Sequence, residues 1–291
     1  MIGGYVRELV LLTLCVVAIQ SHAREVVGPV NKIYARRGDA ELRLLIYRAD
    51  DMREGEQRPA IVSFHGGGWV MGEPEWAEGN ARHWAALGMV AFSAQYRLAS
   101  ESTTPADAVA DARAAIRWIR ENSKELGVDP NRLAAHGWSA GAHLAASAAV
   151  LRDSEDHKIS AQPNALVLFS AAVDVENDKH LEHILRGIIP VRSLSPAAHV
   201  RGGLPPAILL QGDVDTVTPL PGAQRFCQEM REHGNRCELV VYQDVGHLFT
   251  PKGIPDDGWP KPDAQVSAMA SKAADKFLAS LGYLEVDSEK R

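Results

Sequence analysis

Residues 132–146, RLAAHGWSAGAHLAA, pass from a short apolar run into an alanine-rich, helix-forming run through the pattern G-x-S-x-G, with Ser139 at its centre. A nucleophile presented on a sharp strand-to-helix turn needs neighbours without Cβ atoms, so that strand and helix can approach closely; Gly137 and Gly141 meet that need. A turn that only packs needs glycine too, and the chain has 24 glycines among 291 residues. The pattern alone therefore leaves Ser139 either a nucleophile or a serine that fits a turn, and its partners decide.

Outward from this stretch, the runs at 59–65 (PAIVSFH), 89–97 (MVAFSAQYR), 165–171 (ALVLFSA), 206–213 (PAILLQGD) and 237–244 (CELVVYQD) are short and apolar, as strands buried on both faces are. Helical segments lie between most of them. The clearest is expected from Thr104, a capping residue before Pro105, to Gly127, with Val109, Ala112, Ile116 and Ile119 forming one buried stripe. Before them, two alternating runs between Val30 and Ala49 flank Gly38-Asp39 and read as an antiparallel hairpin at the sheet edge. Strands alternating with helices imply crossover connections, hence an α/β fold with a mostly parallel sheet covered by helices on both faces. With no repeat and no linker, residues 24–291 read as a single domain.

Catalytic groups of such a sheet gather in loops beyond the carboxyl ends of the strands. HGGGW (65–69) directly follows the strand residues PAIVSF (59–64), and its consecutive glycines leave backbone N–H groups bare. Gly66 and Gly67, with Ala140 just past the serine, are the expected donors to an oxyanion. GDVDTVTP (212–219) follows the strand residues PAILLQ (206–211) and offers two acids; Asp215 is favoured because it lies further into the loop, with Asp213 a helper or a structural cap. VGHLF follows the run 237–244 and places His247 as the base.

HGGGW, QYRL, GWSAGAH, SLSP, GDVDTVTP and GHLF, in this order, resemble the α/β-hydrolase fold esterases, near the hormone-sensitive-lipase-like carboxylesterases and closer to the bifunctional feruloyl and acetyl-xylan esterases. The resemblance runs from about Val30 to Leu284 and implies an eight-stranded sheet and a Ser139–His247–Asp215 triad. Two residues depart from it: Trp138 stands where the lipase-like group usually has aspartate, and Gln211 where related hydrolases often carry histidine. The segment from Val173 to Leu204, where many hydrolases insert a lid, has room for one short helix plus loops, a minimal cap.

Net charge is −6 with no basic block, which offers no electrostatic footprint for nucleic acid or anionic lipid. Residues 1–23 carry Arg7, an apolar stretch from Leu9 to Ile19 and Ser21-His22-Ala23; they read as a signal peptide, too short to span a bilayer, with a mature start at Arg24 and a periplasmic or secreted product. No stable membrane insertion of the mature chain is expected. Export favours disulfides, and Cys227 and Cys237 either pair or stay free thiols. No metal or other cofactor is required. His180 and His183 stand at a three-residue helical step without an apparent third ligand, His143 reads as a satisfied core histidine, and Arg97 as a structural ion-pair member.

Trp69, Trp138 and Trp259 are candidates to line the mouth of the site, where flat indoles suit sugar rings or aromatic acyl groups. The expected activity is hydrolysis of short-acyl esters, chiefly acetyl, on a small molecule or polysaccharide. The alternatives are a serine peptidase or lipid esterase of the same fold and a non-catalytic binding protein. The sequence leaves the oligomeric state open.

Overall fold

A computed structural model describes residues 24–152, 158–255 and 258–285; the expected signal peptide, residues 1–23, lies outside them. The alternating run near the N-terminus forms the hairpin β1 (Val26–Arg37) and β2 (Ala40–Ala49), turning at Gly38-Asp39 and starting four residues before the expected Val30. The apolar runs then form β3 (Arg58–Phe64), β4 (Val90–Ala94), β5 (Val128–Ser139), β6 (Ala165–Ala171), β7 (Ala207–Gly212) and β8 (Cys237–Tyr242). Between and after them lie α1 (Glu78–Ala86), α2 (Pro105–Glu121), α3 (Ser123–Leu126), α4 (Ala140–Val150), α5 (Lys179–Leu185), α6 (Leu220–Glu232) and α7 (Ala264–Ser280).

The eight strands make one sheet in the order β1-β2-β4-β3-β5-β6-β7-β8. Both pairings of β2 are antiparallel, and every pairing from β4 to β8 is parallel. Alternation along the strands divides the core in two. Ala60, Val62, Phe64, Leu166 and Leu168 face the layer built by α2, α4, α5 and α6, whereas Ile61, Ala165 and Val167 face α1 and α7. All eleven residues of α4 are buried, which explains its composition: only small side chains let a helix lie this close to the sheet.

Several expected elements differ at their ends. The helix expected from Thr104 to Gly127 breaks at Asn122, whose side-chain amide donates to the Trp118 carbonyl at 2.8 Å; α3 follows, and Gly127 closes it at φ 68°. A Cβ there would stand 2.9 Å from the Glu56 carbonyl oxygen, so glycine is required. Strand β4 stops three residues short of Arg97 because Arg97 turns inward: its guanidinium lies 2.7 Å from the fully buried carboxylate of Asp111 and 3.2 Å from that of Asp107. Asp107 also completes the capping box with Thr104 at the start of α2.

Cys227 on α6 and Cys237 on β8 are joined in a disulfide, with Cα atoms 5.4 Å apart. Closing so short a loop constrains the unfolded chain by about 3 kcal/mol. Replacing both cysteines with serine is expected to lower the unfolding free energy in a urea titration by about that amount; no change would mean that the bridge adds nothing to stability.

Candidate active site

Strand β5 ends on Ser139, whose backbone sits at φ 54° and ψ −123° before α4 begins at Ala140. Positive φ is unfavourable for a serine, and the surroundings enforce it. A Cβ on Gly137 would fall 2.3 Å from the Gly141 carbonyl carbon, and one on Gly141 would fall 2.0 Å from the Phe64 carbonyl oxygen. Both glycines are therefore required by close backbone approach, and the turn lifts the Ser139 hydroxyl beyond the strand end.

The other two members arrive from the loops after β7 and β8. His247 Nε2 lies 3.0 Å from Ser139 Oγ, and His247 Nδ1 lies 3.0 Å from Asp215 Oδ2. An ionised carboxylate only accepts, so Nδ1 carries the proton and Nε2 is left to accept from the serine hydroxyl. The histidine loop is seated tightly on β7: a Cβ on Gly212 would stand 2.2 Å from the Val245 carbonyl oxygen, and Leu248 N–H donates to Ser170 Oγ at 3.0 Å.

Of the two acids left open by the sequence, Asp215 occupies the site. Its Oδ1 accepts from the backbone N–H groups of Thr218 at 2.7 Å and Val217 at 3.0 Å; its Oδ2 accepts from Thr218 Oγ1 at 2.8 Å and Gln211 Nε2 at 2.9 Å. Burial would raise its pKa, but the bonds from His247 and Thr218 prevail and hold it below the ordinary carboxylate value. Asp213 instead lies against β8, its N–H donating to the Tyr242 carbonyl at 3.0 Å. Thr218 escaped the sequence reading, although its spacing three residues after Asp215 is that of a local aspartate turn. Gln211 also secures the neighbouring strand end, accepting from Ala171 N–H at 3.2 Å.

Beyond β3, Gly66 and Gly67 form the loop beside the serine, and Ala140 contributes the first N–H of α4. His65 anchors this loop from beneath, its Nδ1 donating to the Gly66 carbonyl at 2.7 Å while its ring stacks on Tyr96 with centroids 4.3 Å apart. Gly67 sits at φ 115°, where a Cβ would meet the Met71 carbonyl oxygen at 2.1 Å; a Cβ on Gly66 would strike the indole of Trp138 at 2.7 Å. Trp138 is thus half-buried packing beside the loop, in the place where the lipase-like group has aspartate.

A cavity of about 450 Å3 opens at Ser139, between Gly68, Trp69 and the end of β6 on one side and residues 216–219 on the other, roofed by the start of α5. Of the three tryptophans expected at its mouth, only Trp69 lines it, and it is buried rather than displayed. Trp259 is 70% exposed and packs edge-on against Trp76 with centroids 5.2 Å apart. His180 donates from Nε2 to the Gly68 carbonyl at 2.8 Å, tying α5 to the glycine loop. His143 is the satisfied core histidine expected: Nδ1 accepts from the Trp69 indole at 3.3 Å and Nε2 donates to the Leu194 carbonyl at 2.7 Å.

A serine, a histidine and an aspartate in relay, beside a glycine loop at the carboxyl ends of a parallel sheet, define a hydrolase-type site. Residues 61–251 match the alpha/beta hydrolase fold family, and the chain belongs to it. Among solved structures it is similar to the thermophilic esterase Est2 of the Planctomycetes species Thermogutta terrifontis, at 36% identity over 90% of this chain and 95% of that one, with a TM-score of 0.79. The same esterase phosphoramylated by tabun superposes equally well, at 37% identity over 91% of this chain and 98% of that one. Curated relatives include the esterase LipQ of Mycobacterium tuberculosis, 26% identical over 68% of this chain, and the carboxylesterase NlhH of the same organism, 43% identical over 32%. The chain's match spans about half the length of LipQ (51%) and 29% of NlhH.

Burial also leaves a signature in acid. It lowers the imidazoles of His65, His136 and His143 from 6.5 to about 4, 3 and 4. Each folded value is depressed, so the stability it contributes is complete above pH 6.5 and is lost as pH falls from there towards 4. Urea unfolding between pH 7 and 4.5 is expected to weaken at up to about 4 kcal/mol per pH unit, the linkage of three protons. Stability that stays flat over this range would contradict neutral burial.

Proposed function

We propose that this chain is an exported serine carboxylesterase that removes short acyl groups, chiefly acetyl, from carbohydrate. The observation that carries the catalytic part is the relay of 3.0 Å contacts from Ser139 through His247 to Asp215. Ser139 Oγ attacks the ester carbonyl as His247 Nε2 takes its proton, and the ionised Asp215 stabilises the imidazolium without accepting that proton. Gly66, Gly67 and Ala140 N–H groups receive the oxyanion. His247 then protonates the leaving alcohol, and water, activated by the same nitrogen, releases the acid from Ser139.

The cap of one short helix supports small acyl groups over long lipid chains, and the esterase names of the relatives support a carboxylic ester as the bond cleaved. Carbohydrate is supported by the exposed Trp76–Trp259 pair, whose indoles meet edge-on with centroids 5.2 Å apart and offer flat apolar faces of the kind sugar rings stack on. Export is supported by the N-terminal apolar stretch and by the Cys227–Cys237 bridge, a bond that persists in oxidising compartments.

The test measures acetate released from acetylated xylan together with cleavage of p-nitrophenyl acetate, by the protein and its Ser139→Ala variant. Both substrates are expected to be cleaved, with turnover falling by roughly 10⁴-fold or more in the variant. Cleavage of the small ester alone would remove carbohydrate from the proposal, and cleavage of neither would remove the esterase.

A further inference from the structure

We propose that Trp69 sets the acyl-chain length this site accepts, by plugging the cavity at Ser139, and that His143 is its positioning residue. The inference rests on the esterase reading above. It begins with which half of the ester the cavity receives. The leaving alcohol must lie by His247 Nε2 to be protonated, while the cavity at Ser139 runs between Gly68 and Trp69, the end of β6, the start of α5 and residues 216–219. We place the acyl half in it.

Trp69 lines this cavity together with Ser139 and belongs to the large apolar layer that also holds Val173, Val175, Leu181, Leu185 and Leu194 of the cap segment and its flanks. Only 3% of its surface is exposed, so nearly all of the indole is embedded. An acyl chain lengthening away from Ser139 meets this ring. Without the ring, the same path opens onto aliphatic side chains, where each added methylene gains transfer free energy.

The ring is also held in place. Its N–H donates to His143 Nδ1 at 3.3 Å, and the two rings meet edge to face with centroids 5.1 Å apart. His143 Nε2 reaches the Leu194 carbonyl at 2.7 Å, so one imidazole ties the indole to the cap. An indole N–H can only donate and a carbonyl can only accept, which fixes His143 as the neutral tautomer with its proton on Nε2. Burial, which lowers this histidine to about 4, keeps it in that form. From the solvent side His180 lies over Trp69, nearly parallel at 6.3 Å between centroids. Backbone contact completes the clamp, with Ala99 N–H donating to the Trp69 carbonyl at 2.7 Å.

The experiment compares kcat/KM for p-nitrophenyl octanoate and p-nitrophenyl acetate, with active sites counted by paraoxon titration so that misfolded protein does not contribute. Trp69→Ala is expected to raise the octanoate-to-acetate ratio about tenfold or more, chiefly through a lower KM for octanoate. Trp69→Phe should move it less in the same direction. His143→Leu, which strips the indole of its acceptor, should also raise the ratio, and His143→Gln, whose amide offers both an acceptor and a donor, should return it towards the parent value. An unchanged ratio in Trp69→Ala, or in Trp69→Phe if the alanine variant has no titratable serine, overturns the plug and leaves the esterase standing. Equal ratios in His143→Leu and the parent overturn the positioning role. A parent protein that cleaves neither ester overturns the esterase reading itself.

Discussion

At Ser139 the backbone passes from β5 into α4 with φ 54°, at a place where neither neighbour two residues away has room for a Cβ atom. Most of the site follows from that constraint. Because strand and helix press together, α4 must be built of small residues and lies wholly buried. Because the serine is lifted above the strand end, its partners must come from loops that reach across the same edge, and β3, β7 and β8 supply them. A strained turn persists only where its surroundings over-determine it, and here the Phe64 and Gly141 backbones do so.

The acid is held as firmly as the serine. Asp215 accepts from two backbone N–H groups, a threonine hydroxyl and a glutamine amide in addition to His247. These donors leave it little freedom to rotate, and they favour the charged form that a buried carboxylate would otherwise resist. Gln211 extends the hold to the end of β6, where the cavity begins. On the opposite side, His65 anchors the glycine loop and His180 and His143 tie it to the cap. The cap is thereby coupled to the floor of the site rather than being a detached cover.

Much of this was legible in the sequence because the chemistry is carried by short backbone motifs. G-x-S-x-G and HGGGW state where the chain must turn and which N–H groups stand bare, and the order serine, aspartate, histidine follows the order of the strands. Asp213 and Asp215 were harder to separate, since they lie two residues apart in one loop and only the folded turn around Thr218 decides which carboxylate faces His247. Two of the three tryptophans fall away from the cavity, and Trp69 lines it from a buried position, for a related reason. Their type was plain, but direction is a property of the backbone, and φ 63° at Trp69 turns its indole under the cap instead of towards solvent. The break at Asn122 escaped for want of any helix-breaking residue there.

The central claim is that Ser139 becomes covalently acylated during turnover. It is tested most directly by mixing the protein with p-nitrophenyl acetate, following the first turnover of p-nitrophenol release, quenching in acid and mapping the modified peptide. The account predicts a burst matching the number of active sites, with the acetyl group on Ser139. Steady turnover with no acyl group on that residue would contradict it.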